Sequence, residues 1–171
     1  SSTGGFTDVL LSVGAARVIC VDVGYNILDW RLRNDPRVVV CERTNARDLN
    51  RSCLPRDLPG PVEVVVCDVS FISLQMALPP AMELCAPGGT LVTLVKPQFE
   101  AARDSVDKGG VVRNPEVHRT VCDDARRWLE SQSDWTYLDQ VPSPIRGPSG
   151  NIEFLMLGRK HAENDGEGSK Q

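Results

Sequence analysis

Two runs of branched apolar residues constrain the fold of this 171-residue chain more than any other feature. Residues 62–69 (VEVVVCDV) and 90–95 (TLVTLV) are nearly continuous in apolar side chains. A strand of that kind needs cover on both faces, which the helices of a parallel α/β sheet supply. Strand-like and helix-like patterns alternate around these runs. Residues 17–23 (RVICVDV) and 38–41 (VVVC) predict strands, and residues 25–33 (YNILDWRLR) space Ile27, Leu28 and Leu32 along one helical face. Residues 74–84 predict a helix that Pro79-Pro80 kinks or restarts, and residues 87–89 (PGG) a turn. Asn114-Pro115 supplies an N-cap and a first-turn proline for a helix through Val117, Val121, Ala125 and Leu129. Residues 135–141 and 151–157 predict two strands joined by a rigid loop without a helix, so one of them runs antiparallel. The expectation is a doubly wound, mostly parallel α/β sheet with an antiparallel last strand over residues 1–160, and a disordered polar tail at 161–171.

The chain opens SSTGGFT, a Gly-rich turn leading into a helix. Such a turn normally follows a strand, so the chain is expected to begin just after the first strand of its domain. Hydrophobic residues make up 41% of the chain and charged residues 25%, which excludes fibrous repeats and wholesale disorder. No apolar run has the length of a membrane span, and the first apolar stretch is broken by Arg17 and Asp22, unlike a signal peptide. The net charge of −4 does not advertise a nucleic-acid partner, although a local basic groove remains compatible with it. Six cysteines lack any C-x-x-C spacing, and only His118 and His161 add imidazole, so no metal site is expected. Cys20, Cys41 and Cys67 sit in apolar runs, and reduced thiols in a cytoplasmic protein are expected.

Ligands of open α/β sheets bind at the carboxyl ends of the parallel strands. There the Gly4-Gly5 turn either admits a ligand to backbone N–H groups or is simply a tight turn. Asp22 ends a strand, placed either to accept from a ribose diol or to cap a helix beginning near Tyr25. Asp68 and Lys96 end the next two strands, and Glu153 lies near the start of the last one. If sheet order brings them together, three charged groups converge on one pocket, as a catalytic cluster or as a buried ion network. Methyl transfer to an oxygen suits such a cluster. A ribose hydroxyl needs a base or an orienting amine, whereas a sulfonium donor leaves as a neutral thioether without help from a metal. Residues 96–113 are too long for a simple connector and form a candidate functional loop.

The segments SSTGGFT, VDVGYN, ERTNARDL, CDVSFISL, LVKPQFEAARDSVDKGGVVRNPEVH and SPIRGPSGNIEF resemble the catalytic domain of the TlyA group. Its members are FtsJ-like ribosomal RNA 2′-O-ribose methyltransferases also called hemolysin A. The resemblance runs from about residue 1 to 159, and the KPQFE…GGVVR block is its most specific part. It implies a Rossmann-like sheet of the class I S-adenosylmethionine-dependent methyltransferases, with ribosomal RNA or a ribosomal subunit as partner and no membrane. In that family a Lys–Asp–Lys–Glu tetrad serves catalysis, and Asp68, Lys96 and Glu153 match its last three members. The first lysine and an N-terminal RNA-binding domain are expected upstream of this chain. By the same resemblance Gly4, Gly5, Phe6, Asp22, Val23, Asn45, Ala46 and Asp68 line the S-adenosylmethionine pocket.

Competing functions fit the residues less well. A nicotinamide-dependent oxidoreductase shares the Gly-rich turn and Asp22 but gives Asp68, Lys96 and Glu153 no joint task. An amino-directed methyltransferase usually carries a Pro-Pro pair after the acid, where this chain has Val69-Ser70. A ribosome-binding fragment without turnover is the non-enzymatic alternative, and a hemolysin acting without methyl transfer finds neither a spanning segment nor a strongly basic amphipathic helix. Arg103, Lys108 and Arg113 surround Gly109-Gly110 and are expected either to flank an RNA channel or to be solvated loop charges. Replacing Arg103 and Lys108 by alanine is expected to weaken RNA binding and flatten its salt dependence in a filter-binding titration. Unchanged affinity would leave these cations as solvated loop charges.

Overall fold

The computed structural model describes residues 1–58 and 60–162, so the tail expected to be disordered lies outside the described residues from 163 onward. The chain forms α1 (Gly5–Ser12), β1 (Val18–Val21), α2 (Trp30–Arg33) and β2 (Val38–Cys41). After two short 3₁₀ turns come β3 (Val62–Cys67), α3 (Leu74–Ala77), α4 (Pro79–Glu83), β4 (Cys85–Val95) and α5 (Pro97–Glu100). A third 3₁₀ turn, Arg103–Ser105, precedes α6 (Pro115–Glu130), β5 (Trp135–Pro142) and β6 (Phe154–Lys160).

Among the described residues these strands form two sheets, β1–β2 and β3–β4–β6–β5. The pairs β1–β2 and β3–β4 are parallel, whereas β6 is antiparallel to both β4 and β5. The antiparallel last strand is thus where the helix-free connection predicts it. Each sheet has its own core. Leu11, Val18, Cys20 and Leu28 pack around β1. The larger cluster joins Leu78, Leu91, Val95, Val121, Leu129, Trp135 and Met156.

Several local expectations need correction. Residues 25–33 do not form one helix: Asn26 sits in the left-handed region at φ 58°, and a separate short helix starts where the Asp29 carboxylate accepts from Arg31 N at 2.8 Å. Leu28 still reaches the core at 6% exposure. Two-sided cover of residues 62–69 is incomplete, because β3 is an edge strand among the described residues and Val64 is 44% exposed. The PGG segment lies inside β4, beside a register irregularity between Val62 and Val64. A Cβ on Gly89 would stand 2.9 Å from the Glu63 carbonyl oxygen, so only glycine permits that approach. The last strand begins at Phe154, because Asn151 is held in a loop by the Gly147 N–H.

Helix α6 follows its sequence signals closely. The Asn114 side chain accepts from Glu116 N, Pro115 occupies the first turn, and His118, Val121, Ala125 and Leu129 are buried against the second sheet. Ion pairs Glu116–Arg119, Asp124–Arg127 and Arg126–Glu130 occupy exposed positions on the same helix. Leu129 is fully buried and faces Gly158 of β6, where a Cβ would come within 2.9 Å of its methyl group. Replacing Leu129 by alanine is expected to lower the unfolding free energy by about 2–5 kcal/mol in a urea titration. A loss below about 0.5 kcal/mol, the range of surface substitutions, would contradict this packing.

Candidate active site

The carboxyl ends of β3 and β4 and the amino end of β6 meet at one sheet edge. Parallel pairing sets Cys67 beside Thr93, and antiparallel pairing sets Val95 opposite Phe154, so Asp68, Lys96 and Glu153 all emerge at that edge. The Lys96 ammonium lies 2.5 Å from the Asp68 carboxylate and donates to the Ser70 hydroxyl at 3.3 Å. Its side chain is only 11% exposed, whereas Asp68 is 40% exposed. An amine held on two sides by a carboxylate and a hydroxyl has a fixed direction, which is what an oxygen acceptor needs.

Glu153 reaches the same edge but touches a different partner. It is 6% exposed and accepts from the Gln98 amide at 3.0 Å, rather than from Lys96. The structure therefore pairs Asp68 with Lys96 and leaves Glu153 adjacent on its own donor. The Gln98 carbonyl oxygen is buried and has no hydrogen-bond partner among the described residues. Glu153 also packs against Gly147, where a Cβ would stand 2.6 Å from its carboxylate oxygen. Glu100 closes the arrangement from the other side: its carboxylate accepts from Leu74 N at 2.8 Å, tying α5 to the start of α3. Burial raises the Glu100 pKa, and the Leu74 N–H opposes that shift. Each polar member of KPQFE thus fixes the edge: Lys96 to Asp68, Gln98 to Glu153, Glu100 to α3.

The Gly-rich turn and Asp22 form the second part of the site. Gly4 caps α1 with φ 103°, a conformation that favours glycine, and a Cβ there would also press on the Leu28 and Leu32 side chains. Gly5 differs, since a Cβ on it would meet nothing within 4 Å; this open space suits an approaching ligand. Asp22 caps no helix. It accepts from the Ser1 ammonium at 2.9 Å, from Ser2 N at 2.6 Å and from Gly24 N at 2.7 Å, so it organises the turn. Phe6, Asn45 and Ala46 are partly buried, and Asn45 accepts from Arg47 N to cap the 3₁₀ turn Ala46–Asp48. Val23 is 70% exposed. A carboxylate at a strand end beside an unfilled glycine surface fits a nucleoside ligand such as S-adenosylmethionine.

Arg103 lies in the 3₁₀ turn Arg103–Ser105, Lys108 is exposed in the following turn, and Arg113 pairs with Asp107. Three residues at the sheet edge carry no plain sequence signal. Ser70 and Gln98 gain meaning only from long-range contacts. Phe71 is 90% exposed at φ 65°, with its ring 5.0 Å from that of Phe99. Its place in DVSF was the one available hint. A strained, exposed aromatic beside Ser70 is costly to hold and offers a flat stacking surface.

Burial opposes the charged form of Asp22, but the hydrogen bonds it accepts from the Ser1, Ser2 and Gly24 nitrogens outweigh it and pull the carboxyl down to about 2. A folded-state value below the unfolded one means that this stabilisation is present above about pH 4 and disappears as pH falls through about 2. The stability difference between the chain and its Asp22→Asn variant is expected to shrink by ~2 kcal/mol between pH 5 and pH 2 in urea titrations. A difference independent of pH would contradict the hydrogen bonding described for Asp22.

Comparison with known proteins places the chain in a family. The family model described as FtsJ-like methyltransferase matches residues 1–160. A 16S/23S rRNA (cytidine-2′-O)-methyltransferase, TlyA, from Mycobacterium tuberculosis is 49% identical over 91% of this chain and 56% of its own length. A crystal structure of a hemolysin candidate from Lactococcus lactis superposes with a TM-score of 0.87 at 41% identity, covering 94% of this chain and 74% of that one. The O-methyltransferase TomG from Streptomyces achromogenes, solved in complex with SAM, shares the fold at a TM-score of 0.59 and 16% identity, over 94% of this chain and 71% of its own. The chain spans about half the length of the curated relatives it matches. On the family match and the TlyA identity together, the chain belongs to the FtsJ-like methyltransferase family.

Proposed function

We propose that the chain transfers a methyl group from S-adenosylmethionine to a ribose 2′-hydroxyl of ribosomal RNA, in the cytoplasm. The observation that carries this function is the Lys96 ammonium, held between Asp68 and Ser70 at the sheet edge that also bears Glu153. Family membership and the activity for which the Mycobacterium relative is named support the same chemistry.

Gly5 and Asp22 would hold the donor, with Phe6, Val23, Asn45, Ala46 and Asp68 around it; when bound it supplies an activated methyl group on a sulfonium. Lys96 directs the 2′-oxygen along the line of attack, and Asp68 and Ser70 fix the direction of its Nζ. As the oxygen–carbon bond forms, the carbon–sulfur bond breaks, and sulfur keeps the electron pair as a neutral thioether. The hydroxyl proton passes to a base at the same edge. Glu153, acceptor of only one amide hydrogen bond among the described residues, stands next to the position that the proton leaves. Phe71 offers its exposed ring to the base of a nucleotide turned out of the RNA stack. Among the described residues no helix is long and apolar enough to cross a membrane, and no membrane partner is proposed.

The test is mass mapping of ribose methylation on ribosomal RNA, with donor binding measured in parallel. Lys96→Ala is expected to slow ribose methylation by about 100-fold or more, the span of acid–base catalysis, with S-adenosylmethionine affinity unchanged. Full methylation by Lys96→Ala would overturn the assignment. Donor and RNA binding without any methylation by the unmodified protein would favour the non-enzymatic alternative.

A further inference from the structure

A cavity of about 370 Å³ lies between the loop before α6 and the β5–β6 loop. Its walls carry Arg113 from the loop before α6, His118 of α6, and Arg146 and Ser149 from the β5–β6 loop, over Val112 and Ile152. Two arginines, a histidine and a serine line this space, and among the described residues no carboxylate does. In a chain of net charge −4 that is a local reversal of sign.

The walls are built before any ligand arrives. Asn151 is 2% exposed and clasps the two loops together: its Oδ1 accepts from Val112 N at 2.9 Å and its Nδ2 donates to the Gly110 carbonyl at 2.8 Å. Gly147 N donates to the Asn151 carbonyl and Gly150 N to the Gly147 carbonyl, which closes the turn. His118 Nε2 lies 2.9 Å from the Val112 carbonyl, so the imidazole is committed to the wall. The arginines are less engaged. Arg146 makes one contact, at the long distance of 3.4 Å to the Gly150 carbonyl. Arg113 spends Nη1 on Asp107, in an exposed pair of the kind that contributes little.

We propose that this cavity is a phosphate subsite for the RNA strand, taking the phosphodiester group adjacent to the target ribose on Arg113 and Arg146. Guanidinium forks match phosphate oxygens and hold their direction. Position sets which phosphate binds: Arg146 and Ile152 line the cavity, and their chain neighbours Gly147 and Glu153 pack on each other, so an occupant is placed near the reacting sugar. The assignment rests on the ribose-methylating function proposed above and adds a register-setting contact to it.

The experiment uses RNA substrates in which each phosphate near the target is replaced, one at a time, by an uncharged methylphosphonate, bound to the protein and to an Arg113→Gln/Arg146→Gln variant. Both side chains are exposed, and an unchanged urea midpoint verifies that the variant is folded. One position is expected to cost the unmodified protein about tenfold in RNA affinity and to cost the variant less than about twofold. Uniform sensitivity at every position, or the same sensitive position persisting in the variant, overturns the subsite even if ribose methylation proceeds. Position-specific sensitivity that the variant loses, in a protein that methylates no ribose, retains the subsite and overturns the proposed reaction instead. Arg146-dependent micromolar binding of inorganic phosphate alone would reassign the cavity to a free anion.

Discussion

The insertion of β6 between β4 and β5, antiparallel to both, is the constraint on which the rest of the site depends. A parallel strand there would bring its carboxyl end to the edge where β3 and β4 end; the reversed strand brings its beginning instead. Register then does the chemical work. With Val95 opposite Phe154, the residue after one strand and the residue before the other are juxtaposed, and these are Lys96 and Glu153. A slip of one residue would turn every side chain of β6 to the other face, moving Met156 out of the core at the same time. Burial of Met156 and alignment of Glu153 are therefore enforced by the same pairing.

Much of the fold was legible because its signals are local. Asn114-Pro115 marks the start of α6 by side-chain capping and a fixed φ, which need no distant partner. The apolar runs of β3 and β4, and the reversal implied by a helix-free β5–β6 connection, were equally readable. The helix expected over residues 25–33 failed because spacing of Ile27, Leu28 and Leu32 does not register a left-handed Asn26 or a competing cap at Asp29. Of the site, the placement of Asp68, Lys96 and Glu153 at strand ends was visible, but not that Glu153 bonds Gln98 while Lys96 bonds Ser70. Those contacts span 55 and 26 residues of sequence, and pattern alone carries no information about them.

The two glycines at the start of the chain show how one motif divides its labour. Gly4 is required by its left-handed φ of 103°, with Leu28 and Leu32 of the β1 core packed beside it. A Cβ on Gly5 would meet nothing within 4 Å, so core packing makes no such demand there. Asp22 caps no helix: it organises the backbone of the turn through three N–H donors, and a ligand at this site would meet a carboxylate already oriented. Likewise a net charge of −4 coexists with a cavity lined by two arginines and, among the described residues, by no carboxylate, because whole-chain charge averages over faces that a ligand never sees together.

The central claim is that Asp68 and Lys96 act as one unit on the acceptor oxygen. A double-mutant cycle on the single-turnover rate of ribose methylation, with Asp68→Asn, Lys96→Ala and both together, measures this most directly. The account predicts strong non-additivity, with the double variant no slower than Lys96→Ala alone. Losses that simply multiply would mean that the carboxylate and the amine work independently, and would contradict it.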